Sequence, residues 1–524
     1  MRDFQKPGRS AVFATNGMCA TSHPLAASVA IDILKAGGNA VDAAIAGAVL
    51  LGLCEPQMTG IGGDCFALIS RPGEDIVALN GSGRAPASAS AERLRASGHD
   101  TVPLYSADAV TIPGAIDAFC TLSDRWGKLG LADSLAPAIR YMDEGVPVAP
   151  RVAADWSDLT EILQGDGRHH YLSNGAAPKL GDIFRLPGQA EVLRRIARDG
   201  RDAFYSGEVA EDMIAALAEL GGGHSAEDLA ATRCTDGPAI SGTYGGKTLY
   251  EHPPNGQGAT AILMLNILAR FDLGALDPWG AERAHLEVEA SKLAYDTRNR
   301  IIADPDHTSR IEHMLAPETA DRLAALIDPN RAMADPAGIA EAVHRDTIYI
   351  TVVDRDRLAV SLIYSIFHGF GSGIASKKFG ILFQNRGAGF SLVDGHPNEM
   401  APGKRPMHTI IPAMLGDGDQ VEMPFGVMGG AYQPHGHARV VTNLLDYGLD
   451  PQAALDAPRL FPEAGELRLE RGYSEAVGAA LADKGHKVVT APQAIGGAQA
   501  IRIHPSGVLE GASDPRKDGC ALGY

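Results

Sequence analysis

Between Asp346 and Asp354 the chain reads Asp-Thr-Ile-Tyr-Ile-Thr-Val-Val-Asp. This alternating, β-branched run predicts a strand with Thr347 at its head. A chain break just before Thr347 would give that residue a free α-amino group beside its own hydroxyl. One residue would then hold both a nucleophile and a base. A free α-amino group titrates at about 7.7–8, so a useful fraction is unprotonated near neutral pH. A threonine at a strand start is by itself an ordinary structural choice, so its surroundings must carry the argument.

Those surroundings alternate in character. Leu25 to Leu34, preceded by Ser22-His-Pro24 and stopped by Gly37-Gly38, predicts a capped helix. Ala40 to Leu51 predicts a second helix of small residues suited to close packing. After Gly60-Ile-Gly-Gly63, Cys65 to Ile69 and Ile76 to Leu79 predict a strand pair. Residues from about 110 to 330 show mostly helical pattern, with turns at Pro147–Pro150 and Pro253–Gly258. Arg331 to Arg345 is polar and alanine-rich, and predicts a loop or loosely docked helix open to processing. Beyond Thr347, strands are predicted at 348–353, 358–364, 381–383, 408–414 and 498–504, with a helix over 437–445. There is no internal repeat. A helix-rich first part and a strand-rich second part suit one layered α/β domain, and neither half is self-sufficient.

Composition excludes several classes. The net charge of −18, with no basic run, argues against a nucleic-acid partner. No run of 18 apolar residues exists, which argues against a membrane span. The first ten residues carry no apolar signal core. Six scattered cysteines lack metal-type spacing and read as reduced thiols, so a cytoplasmic location is expected. His435 and His437 have no partner carboxylate at ligand spacing, so no metal and no cofactor is expected.

Many short motifs in order resemble the γ-glutamyltranspeptidases, autoprocessing hydrolases with an N-terminal nucleophile. They include Ser22-His-Pro-Leu-Ala26, Gly37-Gly-Asn-Ala-Val-Asp-Ala-Ala44, Glu55-Pro56, Gly60-Ile-Gly-Gly63, Ile112-Pro-Gly114 and Ala290-Ser-Lys-Leu-Ala-Tyr295. Lys404-Arg-Pro406, Gly429-Gly430, Asp446-Tyr-Gly-Leu-Asp450 and Gly511-Ala-Ser-Asp-Pro-Arg516 continue the agreement to the end of the chain. The resemblance implies a four-layer αββα sandwich and self-cleavage between Asp346 and Thr347. The large subunit would be 1–346 and the small subunit 347–524. They would stay associated, with a dimer of such heterodimers left open. It also implies that Thr347 is the nucleophile and that N–H groups at Gly429 and Gly430 form an oxyanion hole. Ser365 would hydrogen-bond the new N-terminus, and Thr351 would help orient the nucleophile.

The substrate-binding residues depart from the family. Where the family has an arginine for the substrate α-carboxylate stands Ser82, with Arg84 two residues on. Phe367 replaces an asparagine, and Arg386 and Gly389 replace the groups that hold an α-ammonium. His408 and Thr409 replace paired serines. An anion is lost and a cation gained, so a carboxylate without an ammonium is the better fit. The pattern resembles the non-glutamyl branch, with its oxamate amidohydrolases and cephalosporin (glutaryl) acylases. The bulk of Phe367 and His408 favours a small, oxamate-like amide bearing a carboxylate. A γ-glutamyltransferase or glutathione hydrolase, a glutaryl acylase and a non-catalytic binding protein are the alternatives.

Overall fold

The computed structural model describes residues 5, 8–334, 347–418 and 420–524. Two seven-stranded sheets lie face to face. One runs, edge to edge, through Val12–Ala14, Leu509–Ser513, Gly497–Ile503, Gln420–Met428, Ala413–Asp417, Lys247–Glu251 and Ile240–Tyr244. The other runs through Cys520–Gly523, Met18–Thr21, Ile348–Val353, Ala359–Ser365, Asp64–Ser70, Val77–Gly81 and Thr235–Pro238. Every pairing in these two sheets is antiparallel.

Side-chain alternation generates the layers. Ile348, Ile350, Val352, Val360, Leu362 and Tyr364 point outward into a core shared with the first helices. Tyr349, Ile363 and Phe66 point inward and meet Met428 of the facing sheet and Ile410 of the segment leading into it. Val353, Ala359 and Leu68 also point inward, to meet Met414 and Ile501. On the far side Phe425, Val427, Ala498 and Ala500 pack beneath Gly258–Leu268, Ala281–Ile301 and Gln433–Leu445. The order is therefore helices, sheet, sheet, helices, as expected. A strand apolar on both faces can sit only between such layers. Each fully buried Ile, Val or Leu contributes about 1.5–3 kcal/mol.

The predicted helix of small residues spans Ala40–Cys54, and every residue in it is buried. Its start is fixed by a reciprocal cap. The Asn39 side chain accepts from Val41 and Asp42 N–H groups, while Asp42 accepts from Asn39 N–H at 3.0 Å. Gly47 is where this helix crosses the central strand, since a Cβ there would stand 2.5 Å from Ile350 Cδ1.

Three sequence expectations need correction. The stretch read as mostly helical contains Thr235–Pro238, Ile240–Tyr244 and Lys247–Glu251, which extend both sheets to their edges. Residues 235–238 read Thr-Asp-Gly-Pro, with no apolar alternation to signal a strand. The runs at 381–383 and 408–414 are mostly irregular. Leu382 and His408 form only isolated bridges, and the regular strand is Ala413–Asp417. The helix expected from 437 begins at Gln433. The expected loop before Thr347 falls, from 335 onward, outside the described residues.

The close approach of the sheets gives a test. A Cβ on Gly426 would lie 2.3 Å from Tyr349 Cε2, a rigid ring two residues from Thr347. Gly426→Ala is expected to cost about 1–3 kcal/mol, read as a lower thermal midpoint, by pushing the sheets apart.

Candidate active site

Strand register sets a row of polar groups at one end of the inner face. Ile348 pairs with Tyr364, which puts Thr347 beside Ser365. Ser365 pairs with Asp64. Cys65 pairs with Gly81, so Ser82 stands beside Asp64. Four neighbouring strands thus present Thr347, Ser365, Asp64 and Ser82 in line, all buried. Thr347 Oγ1 donates to Ser365 Oγ at 3.4 Å, and Ser365 Oγ accepts from the Phe367 N–H at 2.9 Å. The Thr347 hydroxyl is therefore oriented by a serine that is itself oriented by backbone.

Asp64 ties this row to four stretches of chain. Its Oδ1 accepts from Gly83 N at 2.9 Å, Gly114 N at 3.2 Å and Gln384 Nε2 at 2.8 Å. Its Oδ2 contacts His408 Nε2 at 3.0 Å. Complete burial pushes its carboxyl up to about 6, while the Arg386 charge and these hydrogen bonds pull it back down.

Arg386 is fully buried. Its guanidinium lies 3.8 Å over the Phe367 ring and donates to Thr409 Oγ1 at 2.9 Å. The same Phe367 supplies the N–H to Ser365, so the cation and the Thr347 hydroxyl are linked through two residues. Phe367 holds φ at 79°, a left-handed conformation that a bulky residue adopts only when its surroundings enforce it. His368 follows, its N–H bonded to Asn385 Oδ1 at 3.1 Å. Burial and then Arg386 bring His368 down to about 3, so its ring is neutral.

Gly429 and Gly430 end the strand Gln420–Met428 with φ of 120° and 55°. Glycine is required here: a Cβ on Gly429 would stand 3.0 Å from Gly496 Cα. Since Met428 packs with Tyr349, this turn and Thr347 lie at the same end of the sandwich. Gln257 fixes the turn, its Nε2 donating to Gly430 O at 3.0 Å and to Thr409 O at 2.7 Å.

The γ-glutamyltranspeptidase family profile matches residues 26–524. The chain belongs to the γ-glutamyltranspeptidase family. It is 37% identical over 529 residues to the oxamate amidohydrolase proenzyme of Klebsiella pneumoniae, covering 98% of this chain and 99% of that protein. It is 35% identical over 526 residues to the glutathione hydrolase-like YwrD proenzyme of Bacillus subtilis, covering 98% and 99%. The solved cephalosporin acylase of Bacillus halodurans superposes with a TM-score of 0.92 at 40% identity, covering 100% of this chain and 99% of that one.

Within this γ-glutamyltranspeptidase framework, Thr347, Ser365, Phe367, Arg386 and Thr409 come together. Other expected residues are engaged elsewhere. Thr351 lies four residues along the strand, about 13 Å away, and donates to Val360 O at 3.0 Å. Arg84 pairs with Asp304 at 3.3 Å and with Gly403 O at 2.9 Å. It lines a cavity of about 540 Å³ walled by Asn80, His252 and Arg405, with none of Thr347, Ser365 or Arg386. The Ser82 hydroxyl donates to Asn80 Oδ1 at 2.7 Å. His408, for which a substrate contact and a packed histidine were equally open, has both ring nitrogens in use. Nδ1 accepts from Ile410 N at 3.3 Å, so Nε2 carries the hydrogen and donates to Asp64. Burial and then Arg386 keep it neutral, which makes it a positioning group. Asp346 lies outside the described residues.

Asp64, Gln384 and Gln257 escaped the sequence reading. Only Asp64 left a signal, an acid opening an apolar strand straight after Gly60-Ile-Gly-Gly63.

Asp64→Asn places an NH2 group among N–H donors, at an expected cost of about 1–3 kcal/mol. Because the native carboxyl titrates at about 6, above its ordinary 3.8, the native state holds the extra proton between those values. Asp64's contribution to stability is therefore full at low pH and falls as pH rises through that window. The gap in thermal midpoint between wild type and Asp64→Asn should be widest near pH 4 and narrow towards pH 7.

Proposed function

We propose that this chain is an autoprocessing amidohydrolase that cleaves itself before Thr347 and hydrolyses small amides bearing a carboxylate but no α-ammonium. The observation that carries the reading is the link from Thr347 through Ser365 and Phe367 to the buried Arg386. A free Thr347 would hold nucleophile and base together, as the geometry of an N-terminal hydrolase requires. Arg386 would grip the substrate carboxylate, while Phe367 and Thr409 fix its plane. An α-ammonium would meet the guanidinium, and the nearby Asp64 is committed to four donors. The tight burial of Thr347, Phe367, Arg386 and Thr409 supports a short acyl group.

Thr347 Oγ attacks the amide carbonyl carbon as its proton passes to the α-amine. The oxyanion rests on N–H groups of the Gly429-Gly430 turn. Collapse expels ammonia, protonated by the α-ammonium, and leaves an ester on Thr347. Water, deprotonated by the same amine, hydrolyses that ester and frees the dicarboxylate. Residues 1–346 and 347–524 would remain together as two subunits, since strands of both interleave in each sheet. A longer glutaryl-type acyl group is the second reading, favoured by the similarity to the Bacillus halodurans acylase.

Two outcomes test this. Purified protein should resolve under denaturing conditions into two chains, the smaller beginning at Thr347. Thr347→Ala should give one chain of 54.9 kDa with no amidase activity. Ammonia release should be strong with oxamate, weaker with glutaramate and absent with glutamine. Arg386→Met should cut kcat/KM on oxamate about 10- to 100-fold, mainly through KM. A preference for glutamine would overturn the substrate assignment, and hydrolysis by Thr347→Ala would overturn the mechanism.

A further inference from the structure

Away from Thr347, three potential metal-ligating side chains converge without any role in the chemistry above. His285 and Glu289 lie four residues apart on the buried helix Ala281–Ile301, so both project from one face. His486, on the loop after Glu475–Asp483, faces them. Ligand atoms of all three lie within 4.8 Å of one another. His285 Nδ1 and His486 Nε2 are 2.8 Å apart, and His285 Nε2 contacts the Asp328 carbonyl at 2.8 Å. That carbonyl fixes the hydrogen of His285 on Nε2, so the Nδ1 lone pair points at His486. A ring held from behind by a backbone carbonyl is the usual setting of a metal-bound histidine. Glu289 is held likewise, its Oε2 accepting from Met333 N at 2.8 Å.

We propose that His285, Glu289 and His486 form a zinc(II) site that clamps the segments on either side of Thr347. Two imidazole nitrogens and one carboxylate oxygen are a zinc donor set, too nitrogen-rich for calcium or magnesium. Zinc–nitrogen bonds of about 2.0–2.1 Å in a tetrahedron set the two nitrogens about 3.3 Å apart, so the pair need open by only about half an ångström. His486 shifts its hydrogen from Nε2 to Nδ1, and no net proton is released. Water completes the shell from the adjoining cavity of about 220 Å³, which His486, Lys292 and Met333 line. Lys292 is the built-in competitor, its ammonium donating to Glu289 Oε1 at 2.8 Å and to Met333 O at 2.9 Å. His285 and Glu289 precede Thr347 and His486 follows it, so the ion would staple the two segments whether or not the chain is divided between them.

The full-length protein, stripped with chelator and titrated with zinc chloride alone, should bind one equivalent and gain a few degrees in thermal midpoint. His486→Ala and His285→Ala should each lose that equivalent, while Lys292→Met should bind at least 10-fold tighter. Cobalt(II) should give a tetrahedral visible spectrum without thiolate charge-transfer bands, which separates this site from the cysteines. No stoichiometric zinc in wild type and Lys292→Met would overturn the proposal. So would zinc retained by His285→Ala/His486→Ala, or a cobalt spectrum dominated by thiolate. Amidase activity is not a readout, so this outcome is independent of the reading of Thr347.

Discussion

The buried Asp64 carboxylate is the contact on which the rest of the site depends. A lone carboxylate out of water is costly, and its upward shift to about 6 records that cost. Four donors offset it, and each belongs to a different stretch of chain: Gly83, Gly114, Gln384 and His408. Gln384 leads directly to Arg386, and His408 to Thr409. The charge therefore does its structural work at second hand, by fixing the loops that deliver the guanidinium and its threonine partner. Register then places the same Asp64 beside Ser365 and so one strand from Thr347. Thr347 and Arg386 are held to one reference point.

That arrangement explains how a cation can be held inside this framework. Arg386 is fully buried, yet it stacks on Phe367 and borrows a neutral hydroxyl from Thr409. A guanidinium, being planar and weakly hydrated, tolerates such a setting better than an ammonium would. Its field reaches the neighbouring histidines: after burial it is the largest influence holding His368 and His408 neutral. Arg386 thus helps set the protonation of the two histidines nearest it.

Much of the fold was legible because the decisive strands are apolar on both faces and β-branched. Ile348–Val353, Ala359–Ser365 and the helix of small residues could be read directly, and their burial on all sides demands cover from two layers. What escaped were segments whose strand character comes from pairing. Thr235–Pro238 carries glycine and proline in four residues, and its partner Val77–Gly81 makes it a strand. Motif alone singled out Thr347, Ser365 and the Gly429-Gly430 turn as candidates, and they lie at one end of the sandwich. Side-chain direction was not legible. Arg84 and His408 were candidates by residue type, and their pairing with Asp304 and Asp64 could not be read from the sequence.

The same limit applies to groups brought together only by tertiary structure. His285 and His486 are separated by 201 positions, and no local spacing rule could pair them. Helical geometry selects Glu289 to stand with His285, and the return of the chain after Leu481 brings His486 opposite. A buried set of this kind must have its polar atoms satisfied by neighbouring groups or by a ligand. Here Lys292, Met333 and the Asp328 carbonyl satisfy it with hydrogen bonds. The two imidazoles share one hydrogen between facing nitrogens, a geometry that a cation of zinc's size can replace with two bonds. Close packing of His–Glu pairs can therefore serve either state, and the balance between them is set by how strongly Lys292 holds the carboxylate.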